Sequence, residues 1–206
     1  MGFTKKSLDQ IDVKGKKVLM RVDFNVPQDK QGKITNTKRI DSTIPSINYC
    51  LEHGAHSIVL MSHLGRPDGQ VVPALTLKPV AEKLEEIMKR KITFLNDCVG
   101  EEVINACKNA PEGAIILLEN LRFHPEEEGA AIIDGKKVKA SAENVKKFRE
   151  DLTQLGEIYV NDAFGTVHRA HSSMVGVDLP IKVSGFLVKK ELGYFAQAFD
   201  HINRPY

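Results

Sequence analysis

Short apolar runs, almost unbroken in Val, Ile and Leu, recur along this chain at Lys17 to Val22, Ser57 to Ser62, Ile92 to Leu95, Ala114 to Leu118, Glu157 to Val160 and Val183 to Val188, with segments of helical period between them. A strand wet on one face would alternate apolar and polar residues. These runs do not, which suits strands of a parallel sheet buried on both faces. The expectation is an α/β fold: a parallel, roughly six-stranded sheet between two layers of helices, a three-layer α/β/α sandwich. At 206 residues and 42% hydrophobic content, one large domain accommodates it.

The helices are readable from their stripes. Val145, Phe148, Leu152 and Leu155 follow Ser141, a side chain suited to cap a helix start, with Glu143 in the first turn and Gly156 expected to end the helix. Thr76 precedes Leu77, Val80, Leu84 and Ile87 in the same manner. Ile40, Ile44, Ile47 and Leu51 form a third stripe closed by Gly54, but Pro45 lies inside it and predicts a kink or a helix in two pieces. A last helix should hold Leu192, Phe195 and Phe199. Two excursions, 28–36 and 125–140, interrupt the alternation. In the second, Asp134 and Gly135 between Ile132, Ile133 and Val138 predict a hairpin or surface loop, and its glutamate and lysine runs read as solvated faces.

A formal net charge of +2 provides no general field for nucleic acid or an acidic membrane, and aromatic residues are not interleaved with the basic ones. Any cationic site must therefore be local. Cys50, Cys98 and Cys107 are odd in number and lack CxxC or Cys/His spacing, which argues against a disulfide framework and against structural zinc. The N-terminal stretch from Met1 to Lys6 lacks the apolar core of a signal peptide, and no run approaches membrane-spanning length. A cytoplasmic protein is expected, with neither nucleic acid nor membrane as partner.

The local cations stand where the apolar runs end: in KVLMRVDFNVP, SIVLMSHLGRP, IILLENLRFHP and IYVNDAFGTVHRAHS. In open parallel sheets ligands bind beyond the carboxyl ends of the strands. Asp23 and Asn25 are placed there to hydrogen-bond the hydroxyls of a small polyol acid, or equally to cap the strand in an Asx turn. Arg66 offers a planar fork to phosphate or carboxylate with His63 beside it, the alternative being a plain surface arginine in a turn. Arg122 either joins such a site or pairs with Glu119 or the run Glu126 to Glu128. His168, Arg169 and His171 crowd three donors into four positions, His171 being the one most readily assigned to packing. Arg39 stands near a helix start, where a bound anion would offset an unfavourable cation, or it is a solvated surface residue. The chain contains neither GxGxxG after the first strand nor a complete P-loop: the stretch from Gly129 to Gly135 has one residue too many and lacks the hydroxyl after its lysines.

Taken together, RVDFNVP, MSHLGRP, LLENLRFHPEEEG, YVNDAFGTVHRAHSSMVG and GFLVKKEL resemble the N-terminal half of the phosphoglycerate kinase family over essentially the whole chain. The resemblance implies a Rossmann-like domain over 1–188 that binds 3-phosphoglycerate or 1,3-bisphosphoglycerate. Residues 189–206 would be an interdomain connector helix and the start of a hinge, leading to a C-terminal nucleotide domain that this sequence does not include. By the same resemblance Asp23 and Asn25 hold the glycerate, His63, Arg66, Arg122 and Arg169 surround the non-transferred phosphate with His168 close by, and Arg39 faces the phosphoryl group in flight. Val22, Phe24, Lys38, Ser62, Gly65 and Leu121 would line the pocket through their backbone. Mg2+ would travel with ADP or ATP on the other domain, with no metal held by these residues. Two functions follow: the substrate-binding half of a kinase, or a stand-alone phosphoglycerate-binding domain.

Overall fold

Strands β1 (Lys17–Val22), β2 (Ser57–Met61), β3 (Thr93–Phe94), β4 (Ala114–Leu117), β7 (Ile158–Asp162) and β8 (Ile181–Ser184) form one sheet in the order β3-β4-β2-β1-β7-β8. Every pair in it is parallel. The computed structural model describes residues 6–163 and 170–193, and all structural statements below concern these.

The reason the apolar runs do not alternate is visible in the packing. Val18, Met20 and Val22 of β1, with Ile58, Leu60, Ile115, Leu117 and Val160, face helices α1 (Lys38–Glu52) and α2 (Lys78–Met88) through Ile40, Ile47, Val80 and Leu84. Leu19, Val59, Met61, Ile116 and Tyr159 point the other way, onto α3 (Glu101–Lys108) and α5 (Ala142–Thr153) through Val103, Ile104, Phe148 and Leu152. Consecutive residues thus serve opposite cores, and both faces of the sheet are dry. This is the expected three-layer, Rossmann-like α/β/α sandwich.

Several local expectations hold and several do not. Ser141 caps α5, its hydroxyl oxygen accepting the Asn144 N–H at 3.1 Å. Between α4 (Pro125–Glu128) and α5, β5 (Ala130–Ile133) and β6 (Lys136–Lys139) pair as the antiparallel hairpin, with Asp134 and Gly135 both at positive φ in the turn. The helix carrying Pro45 is neither split nor ended: α1 is a single helix with Pro45 on its exposed side. Ile40, Thr43, Ser46, Ile47 and Cys50 hold the inner side, so the helix is kept by packing despite the proline.

Gly156 does not end α5 through a left-handed cap. A Cβ there would lie 2.8 Å from the Leu19 Cβ and 3.0 Å from the Leu19 nitrogen, so the glycine is needed for close approach to β1. The last strand is shorter than its apolar run, because residues 186–193 turn into a helix. The Asp162 carboxylate at the end of β7 accepts the N–H groups of Leu187 at 2.9 Å and Val188 at 3.4 Å, which captures that helix start. The helix anticipated around Leu192 therefore begins before the run was expected to end. Leu192 is exposed, and Phe195 and Phe199 lie outside the described residues.

Candidate functional site

Register brings the carboxyl ends of β1, β2, β4 and β7 to one edge: Arg21 lies opposite Met61 and Asn161, Val22 opposite Asp162, and Leu60 opposite Leu117. The loops that leave this edge are tied to one another by specific hydrogen bonds. Phe24 donates its N–H to the Ser62 hydroxyl at 2.9 Å, and Leu121 donates to the Ser62 carbonyl at 3.1 Å. Gly65 donates its N–H to the Asn25 side-chain oxygen at 2.8 Å, and Arg122 donates to the Gly65 carbonyl at 3.3 Å. Gly65 sits at φ +62°, with the Leu75 side chain 2.8 Å from where a Cβ would project, so a larger residue is excluded there on two grounds.

Asp23 accepts both the Asn25 N–H at 3.0 Å and the Arg39 guanidinium at 3.3 Å, and Arg39 also donates to the Asn25 carbonyl at 2.7 Å. The Asx turn and the binding-site reading of Asp23 are therefore compatible: the turn is what aims Arg39. A cavity of about 450 Å³ opens here, lined by Asn25, Val26, Pro27, Asn36, Lys38 and Arg39. A larger recess of about 640 Å³ along α5 shares none of these residues and mixes Lys146 and Arg149 with Glu150 and Asp178.

Two carboxylates and an amide brace the cationic loops. Asn120 accepts the N–H groups of Leu64 at 3.3 Å and Arg122 at 3.1 Å, and donates to the carbonyls of Leu64 at 2.8 Å and Leu75 at 3.0 Å. Glu119 accepts the Thr76 hydroxyl at 2.6 Å and the N–H groups of Leu77 at 2.8 Å and Asn120 at 2.9 Å. Its acceptors are spent on holding the start of α2, and Arg122 pairs instead with Glu128, at 3.6 Å. Arg122 is nearly buried, while Arg66 is exposed and makes no hydrogen bond or ion pair among the described residues.

His63 is buried at 4% exposure, and its Nδ1 lies 2.9 Å from a guanidinium nitrogen of Arg21. Burial, followed by the nearby charges of Arg21, Arg122, His171 and Arg39, pushes its pKa down to about 2, so the ring is neutral. Of the expected site residues, Asp23, Asn25, Arg39, His63 and Arg122 meet at this edge, with Val22, Phe24, Ser62, Gly65 and Leu121 in the backbone that links them. Lys38 is exposed beside the cavity, its N–H held by the Asn36 side chain at 2.8 Å. His168 and Arg169 lie outside the described residues.

Two buried charges here were not anticipated. Arg21 is fully buried within β1, on the same side of the sheet as Leu19 because side chains alternate along a strand. An arginine inside an otherwise apolar parallel strand is itself the overlooked signal, since such a charge needs a partner. Glu127 belongs to the run read as a solvated face, yet it is 1% exposed and accepts both the N–H and the hydroxyl of Ser173, at 2.7 and 2.6 Å. His171 is partly buried with its Nε2 4.0 Å from Glu128, and burial lowers its pKa.

One group of possible metal ligands occurs among the described residues: Asp97, Cys98 and His124. One of its ligand atoms is already engaged, Asp97 Oδ1 taking the His124 ring N–H and the Cys98 backbone N–H, each at 2.7 Å. A thiol and an imidazole do not suit Mg2+, which takes oxygen ligands. No helix among the described residues is long and apolar enough to cross a membrane.

Residues 8–206 match the family described as Phosphoglycerate kinase. The chain is 64% identical over 203 residues to a phosphoglycerate kinase of Dictyostelium discoideum, covering 98% of this chain and 48% of that protein. With a phosphoglycerate kinase of Schistosoma mansoni it shares 57% identity over 207 residues, 100% of this chain and 50% of the relative. The chain thus spans about half the length of the curated relatives it matches. Among solved structures, a phosphoglycerate kinase from Pyrococcus horikoshii OT3 superposes with a TM-score of 0.80 at 30% identity, over 97% of this chain and 47% of the other. One from Coxiella burnetii does so with 0.74 at 31%, over 93% and 44%.

Proposed function

The chain belongs to the phosphoglycerate kinase family, and on that premise we propose that its strand-end site binds 3-phosphoglycerate or 1,3-bisphosphoglycerate as the acid-binding half of the kinase. The observation that carries this reading is the tie between three strand ends: Asn25 to Gly65, Gly65 to Arg122, and Arg39 to both Asp23 and Asn25. These bonds gather cations from separate loops around one edge before any ligand arrives. In this reading Asp23 and Asn25 hold the glycerate hydroxyl, and His63, Arg66, Arg122, His168 and Arg169 form the cradle for the non-transferred phosphate. The exposed face of Arg39 meets the phosphoryl group being transferred.

The reaction of the whole enzyme would break the acyl phosphate P–O bond of 1,3-bisphosphoglycerate and form a bond from the same phosphorus to a terminal oxygen of ADP. It leaves the carboxylate of 3-phosphoglycerate and moves no proton. Little covalent chemistry falls to the protein. Alignment and stabilisation of charge on the phosphoryl oxygens supply the acceleration, and the second task is assigned to Arg39 in this half. ADP or ATP and its Mg2+ would be held by the nucleotide domain that accompanies this half in the full-length enzyme.

Each charge-assisted hydrogen bond contributes about 1.5 to 3 kcal/mol net, so four or five converging on a phosphate and a carboxylate suffice for roughly micromolar affinity after the cost of association. Calorimetric titration of the purified chain with 3-phosphoglycerate tests this, with glycerol and inorganic phosphate as controls. Saturable binding of the phosphorylated acid, stronger than either control, is expected, and binding no tighter than that of phosphate alone would refute the site. A coupled ATP-consumption assay separates the kinase half from a stand-alone binding domain. Negligible transfer by the chain, restored on adding a nucleotide-binding half, identifies the former. Binding without restorable transfer identifies the latter.

A further inference from the structure

Arg21 stands in the middle of a buried chain of polar groups. Its Nε donates to the Ser173 hydroxyl oxygen at 2.9 Å, and that hydroxyl donates onward to Glu127 at 2.6 Å. Its Nη2 meets His63 Nδ1 at 2.9 Å, and its Nη1 donates to the carbonyl of Val22. Arg21, Ser173, Glu127 and His63 are each at most 4% exposed. The Tyr159 hydroxyl, donating to the Ser173 carbonyl at 2.7 Å, closes the far side.

This geometry decides the state of the histidine. A guanidinium nitrogen can only donate, so the imidazole nitrogen facing it must accept. His63 Nδ1 is therefore unprotonated and its single proton sits on Nε2. A second proton is disfavoured first by burial and then by the fixed cation at hydrogen-bond distance, and Arg122, His171 and Arg39 add to it from the other elements around the ring. Glu127, reached through Ser173, supplies the counter-charge that lets Arg21 be buried at all.

We propose that Arg21 is a positioning residue for the acid-binding site: held by Ser173 and Glu127, it locks His63 as a neutral donor whose Nε2–H serves an oxygen of the phosphorylated acid. The proposal rests on the functional reading above for the identity of the ligand, but not for the state of the ring. Its consequence is a donor that does not change charge across the physiological range, set beside the arginines of the site. Affinity for the acid then varies with pH through groups other than His63, the ligand's own phosphate among them. A lysine at Arg21 would be a poor substitute, since one ammonium cannot present the planar fork that reaches Ser173, Val22 and His63 together.

Nitrogen-15 NMR of the histidine rings in the ligand-free chain reads the tautomer directly. The unaltered chain should show His63 protonated on Nε2 only and untitrated between about pH 5 and 8. In Arg21→Met the ring should become a mixture of tautomers and bind 3-phosphoglycerate about tenfold more weakly at pH 8. Arg21→Met combined with Glu127→Gln removes both buried charges together and keeps the test open should the single variant fail to fold. Ser173→Ala, which cuts the link without removing charge, should shift the tautomer in the same direction. A ring protonated on Nδ1 in the unaltered chain, or a ring unchanged by all of these substitutions, overturns the proposal. Failure of the unaltered chain to bind 3-phosphoglycerate, with the tautomer as expected, overturns the functional reading and not the role of Arg21.

Discussion

At the scale of single residues, burial rather than identity separates the charges that matter. Arg21 and Arg66 are the same residue type within the same edge of the sheet, yet one is sealed beneath it with three bonding partners and the other is exposed. The sequence makes both visible as arginines after or within apolar runs, and only the second attracts attention, because side-chain burial inside a strand is settled by what packs over it. Asp162 shows the cost of such burial. Desolvation raises its pKa to about 6 from an ordinary 3.8, against the opposing bonds from Ser46, Val188 and Leu187. Between those values the native protein holds the proton more tightly than the unfolded chain, so stability falls as pH rises through that window and stays lower above it, by on the order of 3 kcal/mol. Asp162→Asn keeps an oxygen acceptor for the N–H groups of Leu187 and Val188 and removes the charge. Thermal unfolding followed from about pH 4 to pH 8 should show the decline in the unaltered chain and a nearly flat profile in the variant. A decline of equal size in both would locate the effect elsewhere.

At the scale of elements, the helix and strand periods were legible, and their ends were less so. The stripes behind Ser141 and Thr76 predict α5 and α2 because a helix shows its buried face as a spacing that needs no partner to be recognised. Ser141→Ala should cost about 1 kcal/mol by leaving the Asn144 N–H without its acceptor, measured by denaturant unfolding with unchanged m-value. Gly156 reads as a helix stop and is something else, a gap into which Leu19 and the Lys17 carbonyl fit. Gly156→Ala should therefore destabilise by about 1 to 3 kcal/mol through crowding against β1. A helix-propensity account predicts a gain at this position, so the sign of the change decides between the two. The apolar run after Val183 was legible as buried and not as strand plus helix, since a short unbroken run carries no period. What turns it is Asp162, from a different strand, binding two N–H groups of residues 187 and 188.

At the scale of the whole molecule, strand order and register put separate loops into one site. Order β3-β4-β2-β1-β7-β8 sets β1 between β2 and β7, so that Asp23, Asn25 and His63 share an edge with Arg122 from beyond β4. Arg39, held by the Asp23 side chain and the Asn25 carbonyl, keeps a half-exposed side chain at that edge. In a two-domain enzyme assembled with a nucleotide-binding half, Arg39→Ala should lower kcat by about 100-fold or more while changing KM for the acid by less than about threefold, because in the proposed reading charge grows there only during transfer. Steady-state kinetics on the joined halves measures both, and an unchanged kcat would remove Arg39 from the transfer step. By itself the sequence determined the layers, the approximate strands and the four places where cations cluster, because apolar period and local motifs are properties of neighbouring residues. Only the tertiary structure decided which charges are sealed and paired, that Glu127 belongs to Arg21 through Ser173 and that Arg122 pairs with Glu128 and not Glu119. Those pairings join loops far apart in the chain, and the burial that makes them strong exists only once the two cores have closed on either side of the sheet.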